Sequence, residues 1–186
     1  MYKLIVGLGN YPKEYSNTRH NIGFEIIDMF CEKLSIELDE NKFDGLIKKY
    51  STNNVDYIIC KPQTYMNLSG RCVKKICDFY KILPNNVLII HDDIDTELGK
   101  IKFRKNGGSG GQNGIKNIIE MLGNENFYRI KIGVSRPEKG FAIDKYVLSK
   151  FNDIEISAVN SIKEKVVILL EEIVANPQDN FLKQFN

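Results

Sequence analysis

The residues best suited to acid–base chemistry in this chain are its two histidines, His20 and His91. An imidazole has an ordinary pKa of about 6.5 and can take a proton from water near neutral pH. His20 lies in a polar segment, residues 10–21, that directly follows a short apolar run at residues 4–8. A lone histidine is more often structural than catalytic. The role of His20 must therefore be inferred from the residues around it.

Four loops carry more polar side chains and glycines than a chain reversal requires, namely 10–21, 63–70, 91–99 and 106–114. Three of them directly follow a predicted strand. In an open α/β sheet, loops that leave the carboxyl ends of parallel strands converge on one crevice. The residues that we expect to meet there are His20, Asn67, Asp92 and Asn113. As alternatives, Tyr65 and Met66 fit core positions, and Asn67 fits a simple turn.

Three motifs in these loops point only weakly to other kinds of site. The sequence GLGNYP at residues 7–12 begins like a dinucleotide-binding fingerprint, but it ends in proline instead of glycine. The glycine-rich segment 107–111 lacks the Gly-Lys-Ser/Thr ending of a phosphate loop. Asp92, Asp93 and Asp95 fit a magnesium cluster, although their spacing alone favours a solvated acidic turn.

The hydrophobic pattern predicts strands interleaved with helices. Continuous apolar runs indicate buried strands at 4–8 and 87–90, while alternation over 128–134 is typical of a half-buried strand. Further predicted strands are 46–51, 55–60 and 100–105. Apolar stripes at helical spacing predict helices around 27–34, 73–80 and 115–122, a long helix between Asp153 and Asn176, and a last amphipathic turn with Phe181, Leu182 and Phe185.

Turn and cap residues support this order of elements. Asn53 and Asn54 tolerate positive φ and predict a hairpin. Ser69 and Asp153 are predicted helix N-caps, and Gly123 is predicted to end a helix. The pattern therefore predicts one α/β domain over residues 1–186, with a mixed β-sheet flanked by helices on both faces.

Composition narrows the class of protein. The 186 residues are 42% hydrophobic, which is enough for a core, and 26 Lys and Arg nearly balance 24 Asp and Glu, so an anionic ligand would have to meet a local patch. The four cysteines form no CxxC pair, which favours free thiols in a reducing compartment over a zinc site. Because no apolar stretch is long enough for a signal peptide or a membrane span, we expect a cytoplasmic protein without membrane contact.

Five motifs stand in the order found in bacterial-type peptidyl-tRNA hydrolases. They are GLGN with Tyr15, TRHNIGF, KPQTYMNLSG, HDDID and GGSGGQNGIK. The chain resembles that family from Lys3 to about Phe185. It differs at two places: the family usually has Asn-Pro-Gly where this chain has Asn10, Tyr11 and Pro12, and usually His at the position of Gln112.

The resemblance implies an esterase that hydrolyses the bond between a peptide and tRNA and so releases stalled peptidyl-tRNA for reuse. His20 matches the base that activates water, and Asp92 matches the carboxylate that orients it. Asn10 matches a residue that selects substrates with a blocked amino group. The substrate-binding positions implied are Asn10, Tyr15, Tyr65, Met66, Asn67 and Asn113. The resemblance implies a monomer with no cofactor and no metal.

A basic run follows the acidic loop. Lys102 and Arg104 alternate onto one face of a predicted strand, and the family has phosphate-binding residues in this region. The candidate patch for the phosphates of the acceptor stem is Lys102, Arg104, Lys105 and Lys131. A solvated strand face is the simpler alternative.

Two other functions stay open from the residues alone. A non-catalytic RNA-binding module could use the same scaffold, although retention of His20 with Asp92 argues against it. A magnesium-dependent phosphohydrolase built on Asp92, Asp93 and Asp95 would lose its activity to a chelator, whereas the esterase would keep it.

Overall fold

The computed structural model describes residues 2–177, and it confirms the predicted α/β fold class. The strands are β1 (Tyr2–Gly7), β2 (Glu40–Lys42), β3 (Gly45–Thr52), β4 (Val55–Pro62), β5 (Val87–Asp93), β6 (Ile101–Lys105) and β7 (Tyr128–Gly133). The helices are α1 (Ile22–Lys33), α2 (Ser69–Tyr80), α3 (Asn113–Leu122), α4 (Ile143–Val147) and α5 (Asp153–Ala175). The amphipathic turn predicted around Phe181 lies outside the described residues.

The strands form one mixed sheet in the order β2-β3-β4-β1-β5-β7-β6. Its centre is parallel, because β1 pairs with β4 and β5, and β5 pairs with β7. Both margins are antiparallel: β3 pairs with β2 and β4, and β6 pairs with β7. The parallel strands therefore all end at the same edge of the sheet, where the polar loops begin.

The apolar composition of β1 and β5 follows from their burial on both faces. Ile5 and Ile90 belong to a core cluster that includes residues of α1 and α5, whereas Leu4 and Ile89 belong to a second cluster with residues of α2 and α3. Successive residues of a strand face opposite sides, so the sheet feeds both clusters. Helices thus cover the sheet on both faces, as predicted.

Two glycines allow α1 to approach β1 at backbone distance. A Cβ on Gly7 would lie 2.1 Å from the carbonyl oxygen of Gly23, and a Cβ on Gly23 would lie 2.5 Å from the nitrogen of Leu8. Neither position has room for a side chain. This contact fixes the start of α1, and with it the turn that carries His20, against the end of β1.

Several local predictions are confirmed. Asn53 and Asn54 have φ of 50° and 60° and join β3 to β4, as the hairpin prediction requires. Gly123 ends α3 in the left-handed conformation, with φ of 63°. α5 ends before Asn176. Within residues 2–177, no helix is both long and apolar enough to cross a membrane.

Other local predictions were wrong. Ser69 is the first residue of α2 and donates to the carbonyl of Met66, so it does not cap the helix as an acceptor. Asn152, not Asp153, is the N-cap of α5, and it forms a capping box with Glu155. β5 continues through Asp93, into the segment predicted as a loop.

The strand predicted to be half-buried is buried more fully than its alternation indicates. In β7, Ile130 and Ile132 are buried as expected, but Arg129, which directly precedes Ile130, is also only 4% exposed. Its guanidinium donates to the carbonyls of Gly107 and Gly108. The arginine is buried because the glycine-rich loop folds over it and supplies acceptors.

Candidate active site

The centre of the site is a hydrogen bond between His20 and Asp92. His20 lies in a short 3-10 turn, Arg19–Asn21, directly before α1, and Asp92 lies near the carboxyl end of β5. The His20 Nδ1 and Asp92 Oδ2 atoms are 2.7 Å apart, and both residues are buried. If Nδ1 carries the proton that it shares with the carboxylate, Nε2 carries the lone pair.

The pKa values of the two groups shift in opposite directions, because each group stabilises the charged form of the other. Burial lowers the pKa of His20, but the charge and hydrogen bond of the Asp92 carboxylate outweigh burial and raise it above its ordinary value. Burial raises the pKa of Asp92, but the attraction of His20 and the hydrogen bonds from His20 and Gln112 outweigh burial and lower it. The carboxylate is therefore ionised at neutral pH, and it makes His20 a stronger base than a free imidazole.

A second side chain holds the other oxygen of the same carboxylate. Gln112, the N-cap of α3, donates from Nε2 to Asp92 Oδ1 at 3.0 Å. The same nitrogen lies 3.2 Å from the Met66 Sδ. Both oxygens of Asp92 are thus occupied, one by the histidine and one by the amide.

Asn10 is fixed by three hydrogen bonds at the end of β1. Its backbone nitrogen donates to Asn21 Oδ1 at 2.8 Å, and Asn21 Nδ2 donates to its carbonyl at 2.9 Å. Its own Oδ1 accepts from the backbone nitrogen of Met66 at 2.7 Å. This last bond orients the amide, because it uses Oδ1 as an acceptor. Within the described residues 2–177, Nδ2 is then the side-chain atom that is available to a ligand.

The turn that carries His20 is anchored by the neighbouring Arg19. Both oxygens of Glu155 accept from its Nη2, at 2.7 and 2.6 Å, and its Nη1 donates to the Lys150 carbonyl at 2.6 Å and the Ser149 Oγ at 2.8 Å. The guanidinium also lies 4.3 Å from the centre of the Tyr146 ring. Arg19, hydrogen-bonded to both oxygens of Glu155 and stacked on the Tyr146 ring, therefore holds the His20 turn against the segment that joins α4 and α5.

A cavity of about 270 Å³ opens beside His20 and Asp92. α4 forms one wall with Ile143 and Val147, and the loop before α3 forms another with Gly110 and Gly111. Asn113, at the first position of α3, also lines this space. The cavity therefore combines a base, an amide and an apolar wall.

The remaining predicted ligand-binding residues differ in their exposure, and of these only Asn113 lines the described cavity. Asn67 and Asn113 are exposed, whereas Met66 is 3% exposed. The Tyr15 and Tyr65 rings pack edge to face with their centres 6.4 Å apart. Tyr11 adds a third ring, whose centre lies 6.1 Å from that of the Tyr65 ring. The turn at residues 10–12, which departs from the usual family sequence, therefore contributes to an aromatic cluster.

The basic residues of the candidate patch differ in their surroundings. Lys102 and Lys131 are cross-strand partners in β6 and β7, but Lys131 is half-buried and its Nζ lies 3.1 Å from an oxygen of Asp93. Arg104 is exposed, as is Lys105, whose Nζ lies 5.1 Å from the centre of the Tyr128 ring. The four residues thus do not form a uniform free surface.

The acidic segment does not form a metal site in the part of the chain from 2 to 177, where no group of three or more potential ligands is placed to hold an ion. Asp92 pairs with His20, Asp93 with Lys131, and Asp95 with Arg136 at 2.5 Å. Each carboxylate therefore has its own cationic or hydrogen-bonding partner.

Comparison with known proteins identifies the family of this chain. The sequence profile of the peptidyl-tRNA hydrolase family matches residues 4–186. A peptidyl-tRNA hydrolase of Geobacillus thermodenitrificans is 46% identical over 184 residues, covering 99% of both chains. One from Staphylococcus aureus is 40% identical over 185 residues, covering 99% of this chain and 97% of the relative. The chain belongs to the peptidyl-tRNA hydrolase family.

Solved structures support the assignment. The crystal structure of peptidyl-tRNA hydrolase from Acinetobacter baumannii superposes with a TM-score of 0.90 at 33% identity, covering 100% of this chain and 94% of that one. As a member of the peptidyl-tRNA hydrolase family, this chain is an enzyme, a hydrolase that acts on an ester bond. The resemblance inferred from the five motifs is thereby confirmed.

Two contributors to this candidate site are not identified from the sequence. Arg19 enters only as part of the TRHN motif, and its position beside His20 is the signal that points to it. α4 was not predicted, because five residues are too few to show helical periodicity.

Proposed function

We propose that this chain hydrolyses the ester bond of peptidyl-tRNA released from stalled ribosomes, with His20 as general base and Asp92 as its orienting carboxylate. The hydrogen bond of 2.7 Å between His20 Nδ1 and Asp92 Oδ2 is the observation that carries the proposal. It sets the tautomer in which Nε2 can accept a proton, and it stabilises the imidazolium formed in the reaction.

In the proposed reaction a water oxygen attacks the ester carbonyl carbon while its proton passes to His20 Nε2. The carbonyl oxygen becomes an oxyanion in a tetrahedral intermediate. Collapse of the intermediate breaks the bond to the ribose oxygen, which takes the proton back from the imidazolium. The products are the free peptide and tRNA with its terminal hydroxyl restored.

We assign oxyanion support to the start of α3. The first backbone N–H groups of a helix lack partners within the helix, and the helix dipole places positive potential there. Asn113 is the first residue of α3 and lines the cavity beside His20. Its neutral amide can donate to the oxyanion without repelling it. Asn67, exposed in the short 3-10 turn Met66–Leu68 directly before α2, is proposed to contact the peptidyl ester.

Asn10 is assigned to the selection of substrates whose amino group is blocked. Its Oδ1 already accepts from Met66, so the side chain offers a donor, and a donor suits a peptide carbonyl better than a free ammonium group. Asn10→Asp would keep an acceptor for the Met66 N–H and replace the donor by a charged oxygen. The preference for N-acetylaminoacyl-tRNA over free aminoacyl-tRNA should then narrow, as measured by the ratio of kcat/KM values. An unchanged ratio would remove Asn10 from this role.

We assign binding of the acceptor end to the tyrosine cluster and to the exposed part of the basic run. The rings of Tyr15 and Tyr65 can support a base or sugar of the CCA end. Arg104 is the member of the run best placed to meet phosphates. It is exposed, whereas Lys105 lies over the Tyr128 ring, Lys102 reaches the Asp95 carbonyl and Lys131 pairs with Asp93. Arg104→Ala should raise KM for full-length substrate a few-fold and flatten its salt dependence. A CCA-length minimal substrate should respond little, and an equal loss on both substrates would point to damage of the fold.

The decisive experiment measures cleavage of N-acetylaminoacyl-tRNA by the purified full chain, with and without a chelator. The proposal expects cleavage that a chelator leaves unchanged. Loss of activity on chelation would support the metal-dependent alternative, and binding without cleavage would support an RNA-binding module. Gel filtration of the same sample tests the proposed monomer.

A further inference from the structure

Gln112 holds three groups of the site at once. Its Oε1 accepts from the backbone nitrogen of Ile115 at 2.8 Å, which makes it the N-cap of α3. Its Nε2 donates to Asp92 Oδ1 at 3.0 Å and approaches the Met66 Sδ at 3.2 Å. The residue is 9% exposed, so water competes little for these contacts.

We propose that Gln112 is a positioning residue that fixes the Asp92 carboxylate for His20 and couples it to the first turn of α3. The proposal rests on the proposed function of the His20 and Asp92 pair. It assigns to Gln112 an effect on catalysis that operates through Asp92, without contact with the reacting atoms.

The direction of the amide follows from the cap. Because Oε1 accepts from the Ile115 N–H, Nε2 is the end that faces Asp92, and a reversed amide would lose both hydrogen bonds. A donor at this end and an acceptor at the other are both needed. Gln112 is therefore more than a helix cap.

The carboxylate needs such a partner because it is buried. Asp92 is 2% exposed, and rotation about its last side-chain bond has only a shallow preference. With the amide on Oδ1, Oδ2 is the oxygen left for His20, and the plane of the carboxylate is set by two contacts. Without the amide, Oδ1 would be a buried acceptor lacking its partner, and the carboxylate could turn away from the histidine.

Few charged groups lie around the His20 and Asp92 pair, so a change at Gln112 should have a measurable effect on the pKa of His20. His91 directly precedes Asp92 in β5 and faces the opposite side of the strand, and its ring contacts the Asp92 backbone. Asp93 and Asp144 line the same cavity, and Lys131 pairs with Asp93. None of these groups makes a hydrogen bond to the Asp92 carboxylate in the described structure, and Gln112 itself does not titrate.

The test compares two substitutions that each add one negative charge to α3. Gln112→Glu keeps an oxygen for the Ile115 N–H but turns the group that faces Asp92 from a donor into a charged acceptor. Asn117→Asp is the matched control, because Asn117 Oδ1 accepts from the Gly70 N–H at 2.8 Å and a carboxylate preserves that bond. The two variants differ in whether the new charge faces Asp92.

For Gln112→Glu we expect kcat at neutral pH to fall about 10-fold, and the acid limb of kcat/KM to move to higher pH by about one unit. The added charge stabilises the His20 imidazolium, which raises the pH at which the base becomes free. Asn117→Asp should keep kcat within about 2-fold and leave the limb in place. Equal behaviour of the two variants would overturn the proposal.

Two further measurements keep the result interpretable. NMR titration of the His20 ring should show a higher pKa in Gln112→Glu and the native value in Asn117→Asp, whether or not His20 is the catalytic base. This readout separates failure of the present proposal from failure of the proposed function. If Gln112→Glu does not fold, Gln112→Met removes the donor without adding charge, and it should lower kcat with KM nearly unchanged. A Met variant with native kcat would also overturn the proposal.

Discussion

His20 and His91 are both buried and both contact Asp92, yet their pKa values move in opposite directions. His20 meets the carboxylate of Asp92 through Nδ1, whereas the Nδ1 of His91 meets its backbone carbonyl at 2.7 Å. Burial lowers the pKa of His91 to about 4, because the attraction of Asp92 only partly offsets it. The two rings lie on either side of the same strand.

Contact with a charged group, more than depth of burial, decides which of these two imidazoles can accept a proton near neutral pH. The neutral His91 ring donates to a carbonyl and has no partner at Nε2 within the described chain. Its lone pair is buried, and its conjugate acid is strongly disfavoured. His20 has the carboxylate to stabilise its conjugate acid and lies at the cavity.

The largest expected effect separates the two histidines by activity. His20→Asn should lower kcat by about 10²- to 10⁴-fold, because it removes the proposed general base. His91→Asn should keep kcat within a few-fold, since its amide can still donate to the Asp92 carbonyl. Steady-state cleavage of N-acetylaminoacyl-tRNA measures both, and filter binding of tRNA checks that the surface is intact. Similar losses of kcat in the two variants would show that the two histidines do not differ in function.

The next effect comes from the group that the two rings share. Asp92→Asn should lower kcat by about 10- to 100-fold, less than the loss of His20, because water can still reach the imidazole. Removing the charge lowers the pKa of His20, so the acid limb of kcat/KM should move to lower pH. An acid limb of kcat/KM at its native pH would show that the Asp92 carboxylate does not determine the pKa of His20.

A smaller effect concerns stability against pH. The folded pKa of His91, about 4, lies below its unfolded value near 6.5, so its contribution to stability is complete above pH 6.5 and is lost as the pH falls towards 4. The loss amounts to about 3 kcal/mol. In urea titrations, the free energy of unfolding of His91→Asn should fall less between pH 6.5 and pH 4 than that of the native protein. His20 has a raised folded pKa and acts in the opposite sense, but it is present in both proteins, so the difference reports His91.

The smallest effect refines the surroundings of His91. Lys131 lowers the pKa of His91 and Asp93 raises it. Lys131→Gln should therefore raise the pKa of His91 by less than about one unit, as NMR titration would show. The pKa of His20 should stay at its native value. A shift in the pKa of His20 instead would mean that Lys131 acts on the proposed base.

Much of this arrangement was predictable because its signals are local. Hydrophobic runs predicted the central strands, and the motif strings predicted His20, Asp92 and their loops. The contacts of Gln112 with Asp92 and of Arg19 with Glu155 join residues 20 and 136 positions apart, and no local pattern encodes such pairs. The N-cap of α5 was placed one residue late because Asn152 and Asp153 are both good caps, and only the geometry of the helix start separates them.

The packing of Gly7 against Gly23 has a consequence for how this enzyme can change over evolutionary time. The contact of the two glycines and the hydrogen bonds between Asn10 and Asn21 hold the two ends of the β1–α1 loop together. Residues 11–17 form the tip of this loop. Doubling the length of such a tip costs only about 0.6 kcal/mol in chain entropy. Sequence drift in this tip, including the Tyr11 and Pro12 of this chain, can reshape the rim of the site while His20 keeps its place.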